Sequence, residues 1–353
     1  MYNLKPTTTP MSQTVAGNFD CSKLLEIKAK VEEIWADEGV IKAEYVPDVE
    51  PALAIKANQT ATFTVLENPE KDREVKVYWV DDCDDSDPVD CTDQCTIEGD
   101  EIGDNCANYV LTECFEKSFS VKEEVFRTSH LSREEVVARA LLKKLKLMDE
   151  FWAAKAIAFL NASAGVNKYT DGPYTVSGSE TLIPAVAWNP DVFGYIDTAL
   201  WINKLQGGKL LSGTLLKQYM WKVGMETSDP TGASAQAKMT SFGVPYFDRR
   251  MDTILGEKAL FLFDPNSVAM VTKARHSIYG PQGRVVDTAN GKQTWYTIPS
   301  NSLPGVVYDV AYQELCSGND ITHSWKIKTR GDLFLNPLGC DNDRTGVLKF
   351  VCS

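Results

Sequence analysis

Between Leu131 and Gly165 the chain carries a helix-start signal followed by a long apolar stripe, and this stretch restricts the fold more than any other. Ser132-Arg133-Glu134-Glu135 has the form of a capping box, in which Ser132 accepts from the backbone N–H of Glu135 and the Glu135 side chain reaches back. Leu131 and Val136 stand at the two positions of a hydrophobic staple. Val137, Leu141, Leu145, Met148, Trp152, Ala156 and Phe159 then recur in steps of three and four, and Gly165 supplies a stop. A helix over 132–162 at 1.5 Å per residue is a rod of about 45 Å. Arg139, Lys143, Lys144 and Lys146 interrupt the stripe and read as its solvated face.

Strand signals lie before and after this rod. Residues 1–20, rich in Thr and Pro, read as a mobile arm. A short amphipathic helix follows, with Leu24, Ile27, Val31 and Ile34 on one face and Gly39 at its end; Pro47 and Pro51 keep 40–58 extended. Residues 61–66 and 74–80 are β-branched and aromatic, and the turn chemistry of 67–72 makes them a hairpin. Asn108–Thr112 and Ser118–Phe126 are two further strands. Beyond the rod, Asn189-Pro190 opens a helix that runs to Gly207-Gly208, and 226–241 is a polar loop. Ala259–Phe263 is a short buried strand, and Asp264-Pro265 caps a helix through His276. Residues 306–314, 324–328, 332–335 and 346–351 close the chain as strands, giving an α+β protein.

Charge is concentrated. Asp81 to Asp104 holds eleven Asp/Glu and no Lys/Arg, which accounts for most of the net charge of −13. Tight binding to nucleic acid needs a net basic surface, so a dedicated DNA-binding role is not expected. No apolar run is long enough to cross a bilayer, and the N-terminal residues lack the apolar core of a secretory signal.

Five of the nine cysteines, Cys83, Cys91, Cys95, Cys106 and Cys114, fall in the same region. Disulfides, free thiols and a metal site all stay open for them: only Cys91 and Cys95 form a close pair, and Asp81–Asp93 lacks the Gly and Glu register of a calcium loop. Disulfides would hold so repulsive a segment compact.

No catalytic constellation stands out. His130, His276 and His323 are far apart, and no phosphate-binding glycine loop or nucleophile elbow is present. The expectation is therefore no catalytic residue, no cofactor and no metal ligand.

The local sequence with most character is Thr240-Ser-Phe-Gly-Val-Pro-Tyr-Phe-Asp248, followed by Gly256-Glu-Lys-Ala-Leu-Phe-Leu-Phe-Asp-Pro-Asn-Ser-Val-Ala-Met-Val271. With the order of parts, it resembles the major capsid proteins of tailed bacteriophages, of the Johnson (Hong Kong 97-type) fold. The resemblance implies an N-terminal arm at 1–58, an extended loop with a Cys/Asp-rich insertion at 59–127, a peripheral domain with a spine helix at 128–182, an axial domain at 183–305 and peripheral strands at 306–353. Fewer than sixty residues precede the hairpin, so scaffolding would come from a separate protein or be dispensable; the Cys/Asp insertion is not a general feature of the family.

What the resemblance implies is a non-enzymatic shell subunit. Copies form pentamers and hexamers of an icosahedral head, assembled in the host cytoplasm, with separate scaffolding, portal and decoration proteins as possible companions. Packaged DNA is met only by weak, non-specific contact, and no membrane is involved. Contacts between copies are expected at Tyr78 and Trp79 of the loop and at Arg139, Lys143 and Lys146 of the rod. An encapsulin-type compartment shares the layout, and a secreted disulfide-rich binding module is the remote alternative.

Overall fold

A computed structural model describes residues 30, 63–67, 74–80, 104–187, 192–203, 205, 209–214, 246–256, 258–263, 268–274, 284–288, 291–300, 303, 306–317, 320–335 and 346–352. The arm, the first amphipathic helix apart from a helical Lys30, most of the acidic segment, the Asn189-Pro190 and Asp264-Pro265 caps and the 226–241 loop lie outside them.

The expected rod is helix α2, Arg133–Ala162, preceded by α1, Glu123–Thr128. Ser132 caps α2 by accepting from the Glu135 N–H. The reciprocal half of the box is not made, because the Glu135 carboxylate takes the Arg139 guanidinium instead. Leu131 is exposed, so the staple does not close. The helix buries Val137, Leu141, Leu145, Met148, Trp152 and Ala156, as the periodicity requires.

Three strands form a sheet of their own: β1 (Phe63–Glu67), β2 (Glu74–Val80) and β3 (Asp104–Val110). β1 and β2 are the expected hairpin, with Phe63 opposite Trp79. β3 adds to it with Val80 opposite Asp104, so the acidic run is the connection between two paired strands. Nothing in Asp104-Asn-Cys-Ala-Asn108 signals a strand start; pairing with β2 supplies it.

The next strand, β4 (Glu113–Lys122), leaves this sheet and joins the body by pairing with β14 (Asp320–Leu335). The stretch 118–126 is therefore strand only to Lys122 and helix afterwards. The same sheet runs β10 (Val268–Thr272), β14, β13 (Val307–Ser317), β12 (Gly291–Pro299) and β11 (Arg284–Thr288), all antiparallel. Residues 322–328 pair with both β4 and β13, so those two flank β14 on opposite edges.

A second sheet has the order β5 (Thr175–Ser177), β6 (Glu180–Ile183), β15 (Val347–Cys352), β9 (Ala259–Phe263), β7 (Lys209–Ser212) and β8 (Tyr246–Phe247). Both faces of β9 are covered. Ala259, Phe261 and Phe263 join the core under α2, while Leu260 and Leu262 meet α3 (Val192–Ile202) on the other side. That double burial is why β9 reads as an unbroken apolar run.

Four sequence expectations change. The segment after Asp264-Pro265 is strand β10 rather than helix, since Val268, Met270 and Val271 are buried and Val268–Thr272 pairs with β14. α3 stops at Ile202 instead of running to Gly207-Gly208: buried Asn203 bonds Ala199 O at 2.6 Å and Asn167 Oδ1 at 2.8 Å, tying the helix end to the second sheet. The two C-terminal strands expected at 324–328 and 332–335 are one strand, β14. Finally, the domains interleave: β10, β11 and β12 belong with β13 and β14, and β15 crosses to the second sheet.

Gly331 explains the unbroken β14. A Cβ there would lie 2.5 Å from Val271 O and 2.8 Å from the Trp152 ring, so glycine is what lets α2 seat its largest side chain against the sheet. Trp152 is fully buried. Gly331→Ala is expected to destabilise the protein by about 1–3 kcal/mol through overpacking. Urea unfolding followed by tryptophan fluorescence checks this; an unchanged midpoint would show that the contact gives way freely.

Candidate assembly surface

Opposite its buried face, α2 presents Arg139, Lys143, Leu147 and Phe151 at four-residue intervals, all exposed. Arg139 is engaged by Glu135 one turn back, at 3.1 Å. Leu147 and Phe151 stay 40% and 43% exposed, although apolar. The Phe151 ring lies 4.0 Å from that of Phe115 on β4, and Phe115 in turn meets Trp152 at 4.9 Å. Lys155 Nζ stands 6.0 Å over Phe151 and is paired with Glu113 at 2.8 Å. The strip is thus cationic at its N-terminal end and aromatic at its centre.

Lys146 does not belong to it. It is 7% exposed, placed between buried Leu142 and Asp149 on the packed side of the helix. Asp149 is buried too, accepting from Ser300 Oγ at 2.8 Å and from the Tyr308 hydroxyl. Burial pushes that hydroxyl's pKa well up, and the adjacent Asp149 charge adds to the effect.

The three-stranded sheet joins the body beside this strip. Thr112 donates both its N–H and its hydroxyl to Asp332, at 3.1 and 2.7 Å, and Tyr109 packs edge-on against Phe334 at 5.0 Å. Tyr78 and Trp79 occupy successive positions of β2, opposite Cys106 and Asn105 of β3. Of the five clustered cysteines, Cys106 lies in β3 and Cys114 at the exposed start of β4; Cys83, Cys91 and Cys95 lie outside the described residues. Among the described residues, no group of three His, Cys, Asp or Glu is placed to hold a metal ion.

One cluster escaped the sequence reading. At the joint between β4 and α2, Glu123 Oε2 accepts from His323 Nε2 at 2.8 Å and from the Arg133 guanidinium. His323 is 2% exposed, and its Nδ1 lies 2.7 Å from the Tyr312 hydroxyl. Arg133 also sits over the Phe126 ring at 4.6 Å. His323 is 200 positions from Glu123 and 190 from Arg133 in sequence, and reading 118–126 as one strand hid that Glu123 opens a helix. Burial raises the Glu123 carboxyl, but the hydrogen bond from His323 and the charge of Arg133 outweigh it and hold the group below the ordinary glutamate value.

No known family's sequence pattern matches the chain, and no curated protein matches it. Solved structures do. A chain of Mycobacterium phage Adephagia is similar at 13% identity, covering 86% of this chain and 89% of its own, with a TM-score of 0.46. A chain in the capsid structure of the cyanophage P-SCSP1u is similar at 9% identity over 84% and 90%, TM-score 0.45. One in the capsid of a native GTA particle is similar at 12% identity over 86% and 90%, TM-score 0.44.

Because the Glu123 value is lowered on folding, its contribution to stability is present above the ordinary glutamate range and fades as the pH falls through the folded-state value. Glu123→Gln should therefore lower the urea midpoint at pH 7, with the gap to wild type closing below about pH 4. A gap that stays constant down to pH 3 would show that the carboxylate's charge is not what matters.

Proposed function

We propose that this chain is the major capsid protein of a tailed-phage particle, a non-enzymatic subunit that tiles into a closed shell around packaged DNA. The reading is carried by one observation: β1–β3 form a sheet paired with neither body sheet, rooted beside an exposed cationic and aromatic edge of the longest helix. A small sheet gains little from its own burial and is ordered by what it packs against. The edge of α2 likewise leaves apolar side chains, Leu147 and Phe151, 40% and 43% exposed.

Both needs are met when β1–β3 of one copy, a reaching arm distinct from the N-terminal segment, lie across α2 of the next. The connection from β2 to β3, residues 81–104, carries eleven negative charges in sequence, and Arg139 and Lys143 supply cations on the receiving helix. The contact is heterologous, and where the rotation per copy closes, repetition makes rings, here of five and six copies. Tyr78 and Trp79 are the arm residues we assign to this contact. The second sheet, with α3, is the wedge that meets its counterparts at the ring axes. Assembly takes place in the host cytoplasm, and the protein's working location is the virion.

Changing Lys143→Glu together with Leu147→Asp alters only exposed side chains of α2. The double variant should remain soluble with unchanged circular dichroism, and its yield of closed particles should drop at least tenfold, about what a loss of 1.4 kcal/mol per contact gives. Tyr78→Asp on the arm should have the same effect. Electron microscopy and sedimentation velocity read both outcomes, and normal particle yields from both variants would refute the arm-over-helix contact.

A further inference from the structure

α1 should not exist on its own terms. It has six residues, buries none of them, and its N-cap residue Lys122 makes no side-chain cap. A helix that short does not form in isolation, because nucleation is unfavourable and nothing offsets it. What holds it is Glu123, bound to both His323 of β14 and Arg133 of α2, and Phe126, which lies under the Arg133 guanidinium and 5.5 Å from the His323 ring.

We infer that Glu123 is the keeper of a latch that docks the N-terminal end of α2 onto the β13–β14 sheet. The chemistry fixes the parts. A carboxylate only accepts, so His323 carries a proton on Nε2, and its Nδ1 bonds the Tyr312 hydroxyl. One carboxylate oxygen thus receives a sheet donor and a helix donor at once, and the Tyr312 bond fixes the ring that presents the first. Removing the carboxylate unties both partners and leaves Arg133 3.3 Å from His323 Nε2 with no anion between them. α1 then loses the polar bonds that tie it to β14 and α2, and the first turn of α2 loses its tie to β14. Further along, α2 is held by other means, the Trp152 contact with Gly331 and the Asp149 bonds, so release is local. Its consequence for assembly rests on the shell reading, since Arg139 and Lys143 lie one to three turns beyond the latch.

Hydrogen exchange on the full-length protein tests this with two variants. Glu123→Ala removes the keeper, and Glu124→Ala removes its exposed neighbour in the same first turn, with the same effect on the helix dipole. Glu123→Ala should speed exchange of the amides of 125–136 by about tenfold or more while those of 145–160 keep their protection; Glu124→Ala should leave both segments near wild type. A second readout is the His323 ring nitrogens by NMR, expected to show a proton held on Nε2 in wild type and no such hold in Glu123→Ala. Equal exchange in the two variants, or loss of protection spread through all of α2, would overturn the latch. Failure of wild type to form particles would overturn the shell reading while leaving the exchange result standing.

Discussion

The contact of Trp152 with Gly331 fixes how the longest helix sits on the larger sheet, and most of the remaining structure is arranged around that seat. A 30-residue helix can pack on a sheet only where the sheet lets it approach, and a glycine beneath the largest buried side chain provides the approach. With α2 seated there, its apolar stripe covers Tyr308, Val310, Tyr312, Trp325 and Ile327 on one side and reaches Phe261 and Phe263 of the second sheet on the other. One helix therefore joins two sheets into a single core. The edge of that helix turned away from the core is left with Lys143, Leu147 and Phe151.

Much of this was legible in the residues, because it rests on local pattern. The Ser132 cap, the periodicity of α2, the alternating composition of β1 and β2 and the apolar run of β9 each follow from short-range chemistry. What was not legible depends on long-range pairing. Val268–Thr272 is as compatible with a helix as with a strand until β14 lies beside it. Gly331 looks like a strand break until Trp152 is above it. Asp104–Asn108 has no strand propensity, and β2 imposes the conformation. Lys146 was assigned to a solvated face because it is charged, whereas its helical position places it between two buried neighbours.

The candidate site divides in the same way. Arg139 and Lys143 were foreseeable as exposed cations on a helix of known phase. Phe151 was invisible as a surface residue, since aromatics in a helix are ordinarily core; its exposure follows from standing outside the stripe and leaning on Phe115. The Glu123–His323–Arg133 cluster had no sequence signal, its members coming from three elements that meet only in the folded chain. The acidic cysteine segment stays legible as composition alone: strong repulsion in a stretch joining two strands of the arm.

On the shell reading, β1–β3 are completed by another copy and not by their own body. Cryo-electron microscopy of the purified full-length protein tests this most directly. Closed polyhedral particles are predicted, with density for β1–β3 of each subunit lying over α2 of its neighbour. A stable monomer in which β1–β3 fold back over their own α2 edge, with no particles across a range of salt and protein concentrations, would contradict it.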